Sequence, residues 1–370
     1  MPNKIESRRA AAAALAAKRE LVDFTTAIYR TLARIAQGFH APIYENKQPD
    51  CGNCRSITKR AFELIIINDM PGQLCNRLWS YAPYIALSQR ERVRVVIPFF
   101  VDYASLFPNI NCLRRVHFVR EGGSLYMRIM QRLLRTLRNA PNWLPRLFRM
   151  RIDTSCWGQE NWDYETLVSP CSMVFLAAWN HDRPIADLRP FRPELATIFR
   201  PPAEVCQNAD GAIQQLRNQA EYVVGVHMRA GDYRTFLNGK YFFDCARYAT
   251  AMHEVATQLS GTVAFFVCSN EPVSEQCFPG LVIGRSPNGD PLEDLYGLSL
   301  CDFIIAAPST FSLWASFCGE VPIGFLLDEE SPLDLSTFSS AISLSELENK
   351  IPYSLKDEAE AIHGPWITAQ

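Results

Sequence analysis

The sequence predicts an α/β protein with parallel sheets, built from two globular units. Short apolar runs rich in β-branched residues alternate with longer amphipathic stretches, and this alternation is typical of strands joined by helices. The chain has 370 residues, of which 48% are hydrophobic, enough for two domains of roughly 100–200 residues each. Five prolines from Pro184 to Pro202 mark the predicted junction between the two units.

Each strand is predicted from a short apolar run, and each helix from apolar residues that recur at spacings of three and four. The predicted strands are Glu63–Asn68, Val93–Phe99, Val116–Val119, Met173–Ala177, Tyr222–Met228, Thr262–Ser269, Leu281–Gly284, Phe303–Ala307 and Pro322–Leu327. The predicted helices are Leu74–Gln89, Tyr126–Arg138, Ala212–Gln219, Phe243–Leu259, Leu292–Leu300 and Phe311–Phe317. Residues 1–62 are predicted to form a basic amphipathic helical extension.

Charge is distributed unevenly, although the net charge is only −2. Residues 1–150 contain 24 Lys and Arg against 10 Asp and Glu, whereas residues 151–370 contain 13 against 29. Either the first part faces an anionic partner, or two solvated surfaces differ in charge. Residues 126–152 carry seven arginines among apolar residues, which indicates either an amphipathic helix at an anionic membrane or a solvated helix packed on a sheet.

The composition excludes several classes of partner and location. Nucleic acid is not expected as a partner, because no aromatic and basic recognition motif accompanies the charge. No apolar stretch reaches the roughly 20 residues of a membrane span and no signal peptide is recognisable, so the protein is expected in the cytoplasm, free or peripherally attached to a membrane. The twelve cysteines are interpreted mainly as small buried hydrophobes, Cys245 among them. The pair Cys51 and Cys54 has no second pair at metal spacing, so no metal site is predicted there.

Common site motifs are absent from the sequence. There is no GxGxxG and no GxxxxGK, which excludes the usual dinucleotide and P-loop fingerprints, and GxSxG and HExxH are missing as well. The sequence also lacks the DxD with which many sugar transferases hold a divalent cation. A diphosphate bound here would therefore be neutralised by protein groups, and no metal or other cofactor is expected.

Three strand-to-helix junctions carry polar residues where open α/β sheets bind ligands, at the carboxyl ends of strands. In the first, a Pro-Gly turn at Gly72 precedes a helix whose first turn presents Asn76 and Arg77. A glycine turn at a helix N-terminus lets backbone N–H groups approach an anion. An ordinary connection between strand and helix remains the alternative.

The second junction follows the strand that contains His227 and ends at Arg229. Strand alternation places both residues on one face, and the arginine fork beside a tight turn at Gly231 is suited to two phosphate oxygens. Asp232 would orient the arginine or cap the next segment. A hydrogen-bonded core histidine remains the alternative for His227.

The third junction is the sequence Pro308-Ser-Thr-Phe-Ser, which ends a buried strand and opens a helix. The hydroxyls of Ser309, Thr310 and Ser312, together with free N–H groups, form a phosphate site that needs no metal. Simple capping of the helix by Ser309 or Thr310 remains the alternative.

These junctions, in this order, resemble the α1,2-fucosyltransferases and their relatives, the α1,6- and protein O-fucosyltransferases. The segment His227–Tyr233 looks like the HxRxGDY of that family, Gly72–Ala82 is similar to its GxLGNQxFxYA, and Ser309–Ala315 is similar to its NSTFSWWAA. The resemblance covers roughly residues 64–326. It implies a GT-B fold, in which an acceptor domain at 63–205 and a donor domain at 206–370, both Rossmann-like, face each other across a cleft.

The resemblance further implies transfer of L-fucose from GDP-β-L-fucose to a hydroxyl of a glycan acceptor, with inversion and without a metal. Arg229 would bind the diphosphate and stabilise the leaving GDP, with His227 and Asp232 beside it in the catalytic group. The other residues implied in donor binding are Gly72, Asn76, Arg77, Asp294 as the reader of guanine, Ser309, Thr310 and Ser312. Developing negative charge on a leaving diphosphate is the kind of charge that a fixed arginine and helix-terminal donors stabilise.

Three positions depart from the family pattern, namely Cys75, Arg77 and Pro308. The proline removes a backbone donor near the phosphates, and the arginine adds a charge beside the donor. A protein that binds a GDP-sugar or a glycan without transfer, or a transferase for another GDP-sugar, therefore remains an alternative. The general base stays open among Asp232, Asp69 and Glu271.

Overall fold

The computed structural model describes residues 64–91, 93–119, 132, 150–152, 173–179 and 183–343. The extension at 1–62, the Cys51–Cys54 pair and the 126–138 helix apart from Arg132 lie outside these residues, so their predictions stay untested. The described residues form two five-stranded parallel sheets with helices packed on them. This confirms the predicted α/β class with two Rossmann-like sheets.

The first sheet has the strand order β3-β2-β1-β5-β4. Its strands are β1 (Leu64–Ile67), β2 (Arg94–Ile97), β3 (Val116–Phe118), β4 (Met150–Ile152) and β5 (Met173–Leu176). The central strand β1 is buried along its whole length, as expected for an apolar run covered on both faces. The four strands predicted for this half are confirmed to within two residues at each end.

Strand β4 was not predicted, and residues 150–152 had been assigned to an amphipathic helix. They instead pair in parallel with β5, which places Met150 beside Met173. Three residues are too few to show an alternating pattern, and the arginines before them favour a helical interpretation. Pairing with the neighbouring strand decides the structure here.

The second sheet has the strand order β10-β9-β6-β7-β8. Its strands are β6 (Tyr222–Met228), β7 (Val263–Ser269), β8 (Val282–Gly284), β9 (Phe303–Ala306) and β10 (Ile323–Phe325). All five were predicted, again to within two residues. The seven-residue β6 is central and pairs with β7 and β9, so its carboxyl end lies in the middle of the sheet edge.

The helices are α1 (Leu74–Arg90), α2 (Val101–Ala104), α3 (Arg192–Ile198), α4 (Ala203–Arg217), α5 (Cys245–Gln258), α6 (Pro291–Leu298) and α7 (Thr310–Gly319). Helix α4 begins well before its predicted start because Cys206 and Ala209 extend the buried stripe of the helix toward its N-terminus. Helix α3 forms inside the proline-rich junction, where regular structure was not expected. Pro193 stands in its first turn, the place where a helix needs no N–H group.

The two sheets share a core where α1 meets α7. Trp79 of α1 packs edge-on against Trp314 of α7, with 5.1 Å between ring centroids, and its ring lies 5.3 Å from that of Phe317. All three rings are almost completely buried. Burial of such large apolar surfaces stabilises this contact, so the carboxyl edges of both sheets are held against each other.

The predicted domain limits at 63–205 and 206–370 stay a prediction, and residue 205 lies within α4. Within the part of the chain that the structure describes, no helix combines the length and the apolar character needed to cross a membrane.

Candidate functional site

The three strand-to-helix junctions that carry polar residues lie together in the structure. The Thr310 hydroxyl lies 2.6 Å from the Asn76 side-chain oxygen, and the indole N–H of Trp79 donates to the Thr310 carbonyl at 3.2 Å. Across the same contact, the Arg229 guanidinium donates to the Gln73 side chain at 3.4 Å. Residues that follow β1, β6 and β9 thus share one small region between the two sheets.

The first junction depends on a glycine at position 72. Gly72 has a positive φ of +40°, and a Cβ there would collide with the side-chain amide of Asn76. Only glycine combines this backbone angle with so close an approach. Asn76 is therefore held directly beside the turn, with its side chain directed at Thr310.

Arg229 leaves the end of β6 with its side chain only 16% exposed. Its guanidinium donates to the Asp232 carboxylate at 2.8 Å and lies over the ring of Tyr233, 5.5 Å from the centroid. Its Nε atom is buried and makes no hydrogen bond within the described residues. A positive charge held this far from water attracts an anion more strongly than an exposed arginine does.

The turn after Arg229 is held by two side chains that follow the neighbouring strand β7. The N–H of Ala230 donates to the Asn270 side chain at 2.8 Å, and the N–H of Gly231 donates to the Glu271 carboxylate at 3.1 Å. Gly231 has a φ of +50°. From the sequence, Glu271 was predicted only as a candidate general base, and Asn270 was not identified as a residue that fixes this turn.

His227 lies beneath the third junction. Its side chain is 4% exposed, and its ring is 4.8 Å from that of Phe311. Burial, with a smaller effect from the charge of Arg229, lowers the pKa of His227 to about 3. The imidazole is thus neutral at physiological pH, and its Nδ1 makes no hydrogen bond within the described residues.

The hydroxyls of the third junction are already engaged. Ser309 caps α7 by accepting from the N–H of Phe311 at 3.3 Å, while the buried Ser312 donates back to the Ser309 carbonyl at 3.2 Å. Tyr233 donates to the Pro308 carbonyl at 2.5 Å, which connects this junction to the turn after Arg229. Thr310 faces the first junction, so its hydroxyl is the group among these three directed between the sheets.

Asp294 lies at the same edge of the second sheet as Arg229. The two residues are far apart in the sequence, and within the described residues no contact joins them. The Asp294 carboxylate accepts from Ser286, which follows β8, at 2.6 Å. Burial raises the pKa of the Asp294 carboxyl.

The structure does not bring Arg77 to this group. Its guanidinium is buried in the first half, where it donates to the Phe99 carbonyl at 2.9 Å and lies over the Tyr103 ring. Asp102 approaches it to 3.6 Å. The charge therefore stabilises the structure after β2 and does not lie with Arg229.

Asp69 and Glu271, two of the three candidate bases, hold backbone groups. Asp69 accepts from the N–H of Trp179 at 2.9 Å, which joins the ends of β1 and β5. Glu271 accepts from Gly231 and also pairs with Arg234. Asp232 has a side chain that is 54% exposed, so it is the most accessible of the three carboxylates to a ligand.

Searches with the sequence against protein-family models and against curated proteins find no match. The structure is similar to several solved structures. POFUT1 in complex with GDP is 14% identical, with a TM-score of 0.43, over 73% of this chain and 99% of that chain. NodZ α-1,6-fucosyltransferase soaked with GDP-fucose is 17% identical, with a TM-score of 0.42, over 75% and 99% of the two chains.

A mutant of FUT1 from Arabidopsis thaliana in complex with GDP is 14% identical, with a TM-score of 0.48, over 80% of this chain and 76% of that chain. Among the described residues, no group of three or more His, Cys, Asp or Glu side chains is arranged to hold a metal ion.

Proposed function

We propose that this protein transfers L-fucose from GDP-β-L-fucose to a hydroxyl of a glycan acceptor, by an inverting reaction in an α1,2 linkage that uses no metal. The observation that carries this proposal is the position of Arg229. Its side chain extends from the carboxyl end of β6, the central strand of the second sheet. Its guanidinium lies beside the turn that precedes α1 in the first half. The motif at His227–Tyr233 supports the choice of donor.

In this proposal the Arg229 guanidinium binds the diphosphate and stabilises the charge that builds on it as the bond to the sugar breaks. The pair with Asp232 holds the guanidinium in place, and a diphosphate would replace that carboxylate as the stronger partner. The first turn of α7 adds the Thr310 hydroxyl and helix-terminal N–H groups. Asp294 would accept from the guanine base.

Asp232 is the general base that we propose for the acceptor hydroxyl. Once the diphosphate binds the Arg229 guanidinium, the exposed carboxylate of Asp232 is released from that ion pair and can accept a proton. The Asp69 carboxylate still accepts a hydrogen bond from the backbone N–H of Trp179, and the Glu271 carboxylate still accepts one from that of Gly231. His227, buried and neutral, would position Arg229 by packing below it and would not transfer a proton.

The test is release of GDP from GDP-fucose with a panel of glycan acceptors, in buffer that contains EDTA. We expect turnover in EDTA, and we expect Arg229→Ala to lower the rate about 10²- to 10³-fold, as for loss of one electrostatic donor. Arg189→Ala is the matched control, since Arg189 pairs locally with Asp187 on the exposed surface. Full loss of activity on chelation, or equal rates for the two variants, would overturn the proposal.

A binding protein for GDP-sugars is the second candidate, favoured by Pro308 and by the engaged hydroxyls of Ser309 and Ser312. It predicts that calorimetry detects GDP binding, while GDP release with GDP-fucose does not exceed the uncatalysed rate. The same experiment with GDP-mannose separates a transferase for another sugar from both candidates.

A further inference from the structure

A pair of stacked aromatic rings lies in the loop that follows β6. The rings of Tyr233 and Phe236 are tilted by only 27°, with 5.2 Å between their centroids. Tyr233 connects the turn after Arg229 to the Pro308 carbonyl. Phe236 has no part in the proposed donor site, so its place beside that site calls for another role.

Phe236 is the ring of this pair that is not part of the core. Its side chain is half-buried, and within the described part of the chain it is not among the residues packed against the core. Tyr233 does pack against the core, and its hydroxyl bond to Pro308 fixes it there. Tyr233 thus backs one face of Phe236, and the accessible part of the Phe236 ring offers an apolar surface to a ligand.

The backbone directly after Phe236 is strained. Leu237, Asn238 and Gly239 have φ angles of +48°, +58° and +78°, so three successive residues adopt the left-handed region. A branched residue such as Leu237 adopts this region only at a cost. Leu237 packs against the core, which holds the loop in this conformation. Backbone strain of this kind is typical of loops that meet a ligand.

The ring pair shares a short loop with the carboxylate that we propose as general base. Asp232 and Tyr233 are neighbours in the 3₁₀ turn Gly231–Arg234. The N–H and the hydroxyl of Thr235 both donate to the Asp232 carbonyl, at 3.2 and 3.3 Å, so the chain folds back just before Phe236. An accessible carboxylate and an accessible ring therefore lie on one loop.

Tyr233 reaches toward the side of the second sheet opposite to the proposed reader of guanine. In that sheet β9 lies on one side of β6, and β7 and then β8 lie on the other. Tyr233 is bonded to Pro308, which follows β9, whereas Asp294 is bonded to Ser286, which follows β8. A donor with its base at Asp294 and its diphosphate at Arg229 would direct its sugar end toward the ring pair.

We propose that Phe236, backed by Tyr233, is a subsite for the acceptor glycan and stacks on one face of a pyranose ring. The axial C–H groups of a pyranose lie together on a ring face, and this apolar patch suits the electron-rich face of an aromatic ring. The hydroxyls at the rim of the same sugar would reach Asp232. This inference rests on the proposed function, and it adds acceptor contacts in the half of the chain predicted to bind the donor.

The first test measures sugar binding without transfer. Saturation-transfer NMR uses the full chain with GDP, and methyl β-D-galactopyranoside and methyl β-D-glucopyranoside as probes. We expect at least one glycoside to bind, with its strongest signals from the C–H protons of one ring face. Phe236→Leu, which keeps an apolar side chain without a ring, should weaken binding about 5- to 10-fold, as for loss of an aromatic contact. Phe236→Tyr should restore it.

Two controls accompany this measurement. Tyr222→Leu should bind the glycoside like wild type, because Tyr222 is a half-buried ring at the opposite end of β6. Galactitol and glucitol carry hydroxyls without a ring face, so neither should compete. The subsite is overturned if neither glycoside binds, if wild type and Phe236→Leu bind equally, or if the alditols compete as well as the glycosides.

Calorimetry with GDP separates an acceptor subsite from a contact with the donor. Wild type and Phe236→Leu should bind GDP equally, because the ring lies away from Asp294 and Arg229 in this proposal. A loss of GDP affinity as large as the loss of sugar affinity would assign the ring to the donor and overturn the subsite.

Steady-state kinetics separate this inference from the proposed function. With GDP-fucose and an acceptor that is turned over, Phe236→Leu should raise the KM for the acceptor about 5- to 10-fold and change kcat less than about twofold, since the ring touches no reacting atom. Sugar binding that depends on Phe236 without any transfer would contradict the proposed function and support the subsite. Transfer with an unchanged acceptor KM in Phe236→Leu would overturn the subsite alone.

Discussion

His227 and Arg229 leave the same strand two residues apart, yet the structure gives them different electrostatic surroundings. The imidazole is buried against Phe311 and is neutral, because burial penalises its charged form and the charge of Arg229 adds to that penalty. The guanidinium is partly exposed and pairs with Asp232. The end of β6 therefore carries a neutral imidazole and, two residues further on, a charged guanidinium.

The neutral state of His227 predicts how stability depends on pH. The unfolded chain protonates this group near pH 6.5, while the folded pKa is about 3, so the unfolded state binds more protons between these values. As the pH is lowered below 6.5, the free energy of unfolding should decrease, and this group should contribute about 1.4 kcal/mol per pH unit to the decrease. It should regain this contribution as the pH rises again.

Urea unfolding between pH 5 and pH 7 checks this contribution. His227→Leu should flatten the dependence of the unfolding free energy on pH relative to wild type, whatever its own stability. His253→Leu is the control, because His253 is exposed on α5, and it should keep the slope of wild type. Equal slopes in wild type and His227→Leu would contradict the prediction.

Among the elements of the second sheet, β6 ends in a turn whose conformation depends on side chains that follow the neighbouring strand β7. Gly231 takes a positive φ, and a Cβ there would lie 2.8 Å from the side-chain nitrogen of Asn270. The backbone angle and the contact act together, so position 231 accepts only glycine without a change in the turn.

Gly231→Ala should therefore lower the free energy of unfolding by about 2 kcal/mol, through strain at positive φ together with the displaced Asn270. Gly289→Ala is the matched control, since Gly289 also has a positive φ, of +64°, but open space around its Cβ position. It should cost only about 1 kcal/mol, for the backbone strain alone. Urea unfolding compares the two variants, and equal losses would show that the contact with Asn270 contributes nothing.

At the scale of the whole molecule, a small set of contacts joins the two sheets beside the proposed site. Packing of Trp79 against Trp314 and Phe317 provides apolar burial. The contact of Asn76 with Thr310 provides a polar link between the halves. A ligand bound here would touch both halves and would oppose their separation.

A double-mutant cycle measures the polar link. Asn76→Ala and Thr310→Val should show a coupling energy of about 1 kcal/mol in urea unfolding, the usual worth of one hydrogen bond. The control cycle combines Asn76→Ala with Thr257→Val, since the Thr257 hydroxyl donates to the Glu254 carbonyl within the last turn of α5. That cycle should be additive, and additivity in the first cycle would contradict a link between the halves.

Sequence reasoning identified nine of the ten strands in the part of the chain that the structure describes, because buried parallel strands consist of continuous apolar runs. It also identified the junctions at Gly72, Arg229 and Thr310, where glycine turns and polar residues follow such runs. It missed β4, the helices α2 and α3, and the start of α4. The missed segments are short, polar or interrupted by proline. Pairing with β5 decides β4, and packing on the second sheet decides the start of α4.

The sequence by itself determined the α/β class and the placing of charge at strand ends, since both depend on the order of residues along the chain. Tertiary structure alone decided which charges meet. It buries Arg77 against Phe99 in the first half, and it brings Gln73 to Arg229. The reason is physical: burial and contact between residues far apart in sequence are set by how the two sheets pack, and no local pattern records them.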